Sequence, residues 1–394
     1  MTRVFQTADA TGFRVLAVGA GAYPNAKTGE DNVPILNDLW SVRPSAFGFI
    51  EKLLGAWFGT LSAPLVSIDL LLNGPEPAAV TWPGYGRPGE IAPGTAIDEP
   101  SQPNIANALA ALEAQAAQTD VLLLLFCGHG FFKEERYFLP CDFGTGLSRW
   151  APAIKLDQLS LGLRQFRPRS QWLFWDSCAN IPQEALDVIG EVGSSLVGLS
   201  AAAVATASRT YGELSRFGIA SSPVGDVAYG VKGRPSRFME MLIEAIDEVG
   251  CTRRSSGEWW VTDRGLVDAL QTYAKRHPEV DQAFYSFVMP FNSDTPAPIR
   301  LRKLPGAPTS TLVTCSNPRP HLVNADLRIA QDGAAPGAYV YANQPPRTEP
   351  VFCYQVAAQQ HYVVSAHFLG QAAPMVAEVF ADLPVADEVE FKLP

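Results

Sequence analysis

Hydrophobic positions along the chain fall into two kinds of run. Phe13–Ala22 (FRVLAVGAGA), Pro64–Leu72 (PLVSIDLLL), Val121–Cys127 (VLLLLFC) and Gln171–Trp175 (QWLFW) are short and almost continuously apolar. Runs of that length, bounded by turn residues, predict strands buried on both faces. Between and after them, apolar residues return every three or four positions: Phe47, Ile50, Leu53, Leu54 and Trp57; Ile105, Ala108, Leu109 and Leu112; Leu156, Leu159, Leu163 and Phe166; Phe238, Met241, Leu242, Ala245, Ile246 and Val249; Leu266, Val267, Leu270 and Tyr273. That spacing predicts amphipathic helices, the first capped by Ser45. Gly74–Pro103 has no period and is rich in Pro and Gly, so it reads as a long loop.

Strands alternating with helices predict an α/β fold with a mostly parallel central sheet and helices on both of its faces. In such sheets chemistry gathers beyond the carboxyl ends of the strands. The pattern changes near Leu304. After a Pro/Gly linker, segments such as Thr311–Cys315, Val351–Val356 and His361–His367 alternate or run apolar between turn residues. Residues 305–394 therefore read as a small all-β, sandwich-like accessory domain following a first domain over 1–304.

Composition narrows the function classes. The chain has 394 residues, of which 47% are hydrophobic and only 18% charged, so it can bury a large core. Its net charge of −10 argues against a nucleic-acid binder that works by neutralising phosphates. Met1–Phe13 lacks the basic-then-apolar pattern of a secretory signal, and no apolar run approaches membrane-spanning length. The six cysteines form no CxxC pair, so reduced thiols and a cytoplasmic location are expected. His361 and His367 are too far apart on an extended strand to share an ion, so neither a metal nor another cofactor is expected.

Two predicted strands end in side chains capable of covalent chemistry. One runs out through Cys127-Gly128-His129-Gly130, the other through Asp176-Ser177-Cys178. His129 and Cys178 are 49 residues apart, near the roughly 50 that separate base and nucleophile in caspases. A thiol nucleophile needs a base, which His129 would supply before protonating the leaving amine. The amides of Gly130 and Cys178 are candidates for an oxyanion hole. Taken singly, His129 reads equally as a loop histidine and Cys178 as an inert buried thiol.

With GHG at Gly128–Gly130 and DSC at Asp176–Cys178, each after an apolar strand, residues 10–300 resemble the caspase-like cysteine peptidases, particularly the metacaspase and paracaspase branch. The resemblance implies a caspase-like fold, a His129–Cys178 dyad, acylation of Cys178 and hydrolysis by water activated at His129. It also implies a pocket for the residue before the scissile bond. Asp176, two residues before Cys178 and so on its strand face, would line that pocket and accept Arg or Lys, or else serve only to orient His129. Asn37-Asp38 is similar to the Asn-Asp of metacaspases, which makes Asp38 a second pocket acid or else a helix cap. Cys127 stands where metacaspases usually carry serine, and either lines the pocket or fills space. No aspartate cluster near Phe143–Trp150 suggests the calcium site of some relatives.

The stretch 208–237 reads as a long basic loop, with Arg209, Arg216, Lys232 and Arg234 as candidate processing sites. The expected partners are protein or peptide substrates and an activating protease or regulatory partner, with no nucleic acid and no membrane. Bacterial relatives of the family serve in antiviral defence or regulated cell death. The competing reading is a catalytically silent scaffold whose β domain binds a partner.

Overall fold

The structure is a computed structural model that describes residues 1–27, 33–76, 78–146, 148–177, 193–197, 214–221, 232–273, 289–291, 298–317, 319–342, 351–381 and 389–392. Cys178 and Arg209 lie outside the described residues. The chain divides into two compact units, Met1–Ile243 with Phe287–Ile299, and Glu244–Ser286 with Arg300–Pro394.

The first unit is built on a seven-stranded sheet. Its strands in chain order are β1 (Thr2–Gln6), β2 (Phe13–Gly19), β3 (Leu65–Leu72), β4 (Val121–Gly128), then β8 (Ser170–Ser177), β9 (Ser215–Ala220) and β12 (Met289–Phe291). A small hairpin sheet intervenes, made of β5 (Gly130–Lys133), β6 (Glu135–Phe138) and β7 (Ile154–Lys155), while β10 (Cys251–Arg253) and β11 (Trp259–Thr262) belong to the second unit. The order across the large sheet is β1-β3-β2-β4-β8-β9-β12. The five strands β3, β2, β4, β8 and β9 are mutually parallel, with an antiparallel strand on each edge. Every residue of β2, β3 and β4 is buried, as continuous apolar runs require.

Helices cover both faces. Helix α1 (Val42–Leu54) sets Phe49 edge-on against Phe174 of β8, with ring centroids 6.0 Å apart. Helix α2 (Gln102–Gln115) and helix α3 (Leu156–Gly162) share a core with Leu173 and Trp175 of the same strand. Neighbouring residues of a strand point to opposite faces, so α1 lies on one side of the sheet and α2 and α3 on the other. After β2 the chain steps to β3, then crosses back past β2 to β4, so the connections reverse between β2 and β4. That reversal opens the crevice in which doubly wound sheets place their ligands.

Three local expectations change. Helix α1 begins at Val42 with Ser41 at its N-cap, and Ser45 is buried within the first turn. The stretch 208–237 is not one loop, because Ser215–Ala220 is the fifth parallel strand, paired with β8. Arg216 on that strand is fully buried, its guanidinium donating to the main-chain oxygen and hydroxyl of Ser160, so it is not an exposed processing site. A six-residue buried strand interrupted by Arg and Gly carries too little apolar signal to stand out from a basic loop.

The second unit begins earlier than Leu304, the expected boundary. In it β11 pairs with both β10 and β13 (Arg300–Lys303), and helix α5 (Asp263–Gln271) packs on this small sheet. Trp259 and Trp260 are thus residues of a sheet strand. The rest of its described residues are mainly strands, with one 3-10 segment at Arg319–Asn324: β14 (Thr309–Asn317), β15 (Ala325–Gln331), β16 (Tyr341–Ala342), β17 (Val351–Ala357), β18 (His361–Phe368), β19 (Met375–Phe380) and β20 (Val389–Lys392). They form sheets β17-β14-β20 and β16-β15-β18-β19. Leu312, Val356 and Phe391 from one and Leu327, Val364 and Val379 from the other meet in one core, the packing of a sandwich.

Candidate active site

The candidate site lies at the carboxyl ends of β4 and β8. Their parallel register pairs Cys127 with Asp176 and Gly128 with Ser177, so both sequence motifs leave the sheet from adjacent positions. His129 follows Gly128 directly, and Ser177 is the last described residue before Cys178. Neighbouring strands lie about 4.8 Å apart, which sets the scale of the separation at which the two motifs depart.

His129 is held from three directions. Its backbone N–H donates to the Tyr23 hydroxyl at 2.8 Å, and that hydroxyl donates to Ala20 O at 2.8 Å, just beyond β2. The Tyr23 ring lies 5.0 Å from the imidazole, tilted by 50°. The imidazole Nε2 is 2.8 Å from the main-chain oxygen of Asn37. A carbonyl oxygen can only accept, so Nε2 carries the proton and Nδ1 is the basic nitrogen. Burial pulls the His129 pKa below its ordinary value. The Asn37 carbonyl and Asp38 oppose the shift, while the Lys27 cation adds to it. The imidazole is therefore a neutral base at pH 7 with one nitrogen committed to orientation. Gly128 is required by packing, since a Cβ there would come within 2.9 Å of the Tyr23 hydroxyl and of the Phe138 ring.

Asp176 heads a second cluster on the α1 face of the sheet. It is only 5% exposed. Ser236 Oγ donates to its Oδ2 at 2.5 Å, and the Ser221 hydroxyl, which donates to the main-chain oxygen of Ser177 at 3.3 Å, lies close enough to favour the charged form as well. Desolvation pushes its pKa up to about 6, against the pull of these two hydroxyls. The Cys127 thiol beside it is pushed well above its ordinary value by burial and by the Asp176 charge, so Cys127 is a neutral wall. A buried acid with hydroxyl partners is chemically suited to receive a cation.

The other expected residues separate. Asp38 pairs with Lys27 at 2.6 Å beside His129 and is not the cap of α1, a place held by Ser41. Gly130 opens β5, buried and paired with Phe138. Lys232 is exposed, its ammonium 4.1 Å from the centre of the Trp40 ring, and exposed Arg234 pairs with Glu240 at 2.9 Å, so both remain reachable from solvent. Sequence reasoning missed Tyr23, Ser221, Ser236, Lys27 and the Asn37 carbonyl as parts of the site. The carbonyl leaves no trace in a motif, because any residue supplies one.

Among the described residues no group of three or more His, Cys, Asp or Glu side chains is placed to hold a metal ion, and no helix is long and apolar enough to cross a membrane. Cys127, Cys141 and Cys251 carry free thiols. No protein-family model matches the chain, and no curated protein is similar to it.

Proposed function

We propose that this protein is a caspase-like cysteine endopeptidase that cleaves protein or peptide substrates after Arg or Lys. His129 is the base, Cys178 the nucleophile and Asp176 the acceptor of the basic side chain. The observation that carries the reading is the state of His129. Its Nε2 proton is committed to a main-chain carbonyl, which leaves a neutral Nδ1 to take the proton of a thiol leaving the next strand. The strand order, with five parallel strands, an antiparallel strand at each edge and the histidine beside the topological reversal, supports the fold implied by the motifs.

In the proposed reaction the Cys178 thiolate attacks the scissile carbonyl and His129 protonates the leaving amine. Water activated at His129 then releases the acyl group. The amides of Gly130 and Cys178 are assigned to the developing oxyanion. Activation by a protease or a partner, in a bacterial defence or cell-death setting, belongs to the same proposal, with exposed Lys232 and Arg234 as the described cleavage positions.

The test is hydrolysis of matched fluorogenic peptides ending in Arg, Lys and Asp by the wild type and by Cys178→Ala. Turnover of the Arg and Lys peptides, abolished in the variant, is expected. Turnover of the Asp peptide would overturn the role of Asp176. No turnover before or after limited trypsin treatment, together with no Cys178-dependent labelling by a basic peptidyl fluoromethylketone, would favour the scaffold.

A further inference from the structure

Ser236 occupies an unusual junction. Its hydroxyl donates to Asp176 Oδ2 at 2.5 Å and accepts the Met239 N–H at 3.1 Å, the bond of an N-cap at the start of helix α4 (Arg237–Glu244). Its own backbone N–H donates to Ser45 Oγ of α1 at 2.9 Å. Ser236 is thus buried between two helices and the end of β8. A serine hydroxyl has one proton, and here the Met239 N–H occupies its acceptor side, so the proton is directed at the carboxylate.

Resting on the reading above, we propose that Ser236 is a specificity-setting residue that holds the Asp176 carboxylate in its charged, cation-accepting form and in fixed orientation. A buried carboxylate without a counter-ion drifts toward its neutral form, which cannot pair with guanidinium or ammonium. Hydrogen bonds to the charged form oppose that drift. Around Asp176, β4 offers Cys127, whose thiol stays protonated, the residue after β9 offers the Ser221 hydroxyl, and α1 offers Ser45, which accepts the Ser236 N–H. The two cations on the segment leading to Ser236 are directed elsewhere, Lys232 to Trp40 and Arg234 to Glu240. Among the described residues, hydroxyls and not cations therefore balance the pocket acid, and Ser236 makes the short bond. The arrangement keeps the acid ready for an incoming cation without an internal one to displace.

The experiment follows kcat/KM for an Arg peptide across pH 5–9 in the wild type, Ser236→Ala and Ser236→Thr. Alkylation of Cys178 by iodoacetamide is run in parallel, because that reagent has no basic side chain and reports the His129 titration without Asp176. Loss of a hydrogen bond to a charged group is expected to move the acid limb of Ser236→Ala upward by about one pH unit. Peptide cleavage should then fall roughly fivefold at pH 6 and recover by pH 8.5, with the alkylation profile unmoved. Ser236→Thr, which keeps a hydroxyl, should restore the wild-type limb. An unmoved limb in Ser236→Ala, or a uniform loss at every pH that Thr does not rescue, would overturn the proposal.

Failure of the peptidase reading is visible separately, as absence of peptide cleavage in the wild type. In that case the pH dependence of the unfolding temperature still decides the link. The inflection near pH 6 should be absent in Asp176→Asn and displaced upward in Ser236→Ala. Coincident curves for wild type and Ser236→Ala would refute it.

Discussion

Two aspartates at opposite ends of the same parallel sheet are both buried, and they are treated in opposite ways. Asp120, just before β4, receives the Gly12 N–H at 2.7 Å, the Ala117 N–H at 2.8 Å and the Arg14 guanidinium at 2.6 Å. Its charge is matched, and it ties the starts of β2 and β4 to the end of α2. Asp176, at the finish of β8, has burial as its dominant influence and, among the described residues, hydroxyls to oppose it. The first acid is an internal tie and the second is left in want of a cation. An unpaired buried acid costs stability, and sites that bind or react are where such a cost recurs.

The sharpest way to break this comparison is to neutralise each acid in turn. Asp120→Asn leaves the buried Arg14 uncompensated and should destabilise the fold by about 3–5 kcal/mol. Asp176→Asn should do the reverse near neutral pH. The folded-state pKa of Asp176, about 6, stands above the roughly 3.9 of an unfolded aspartate. The folded chain therefore holds this proton more tightly, so its contribution to stability is full below about pH 4 and is lost as pH rises through 6. At pH 7.5 the asparagine variant should be more stable than the wild type by about 2 kcal/mol while losing cleavage after Arg and Lys. Chemical denaturation of both variants at pH 5 and pH 7.5 checks the two signs together. Equal effects of the two substitutions would mean that the acids are equivalent and that Asp176 is structural.

A smaller effect tests the mooring of His129. Tyr23→Phe removes the hydroxyl that links the His129 N–H to Ala20 O, while Gly128 and the ring packing remain. Peptide turnover should fall about tenfold with a stability loss near 1 kcal/mol, as for one buried hydrogen bond. Unfolding curves and kinetics on the same sample separate the two.

The smallest effect concerns charge alone. Lys27 helps lower the His129 pKa, so Lys27→Met should raise it, leaving the imidazole more protonated at a given pH. The acid limb of Cys178 alkylation should move to higher pH by a few tenths of a unit, since the Lys27–Asp38 pair is largely solvent-screened. A move to lower pH would contradict the placement of that pair beside His129.

Much of the architecture was legible because buried parallel strands write themselves as uninterrupted apolar runs. The runs Phe13–Ala22, Pro64–Leu72, Val121–Cys127 and Gln171–Trp175 mark strands that the structure sets at Phe13–Gly19, Leu65–Leu72, Val121–Gly128 and Ser170–Ser177, and the ends of two of them carry His129 and the Asp176 motif. Strand β9 escaped because Arg216 breaks its apolar run, and the Ser160 that receives this buried arginine stands 56 positions earlier. The boundary near Leu304 was misplaced for a similar reason. The linker composition there is real, but β13 pairs backward with β11, and Glu248 accepts the N–H and hydroxyl of Thr309.

By itself the sequence determined which strands are buried, the places where the chain leaves them, and the identity of the residues set there. Periodicity and burial are local properties, written every two or four residues. Only the tertiary structure decided which nitrogen of His129 carries the proton, that Asp38 is paired with Lys27, and that Asp176 is met by the Ser236 hydroxyl. Those facts depend on a main-chain carbonyl, a lysine and a hydroxyl brought together across 92, 11 and 60 positions of chain. Groups as common as these carry no signature in sequence, and only the folded path of the backbone makes them neighbours.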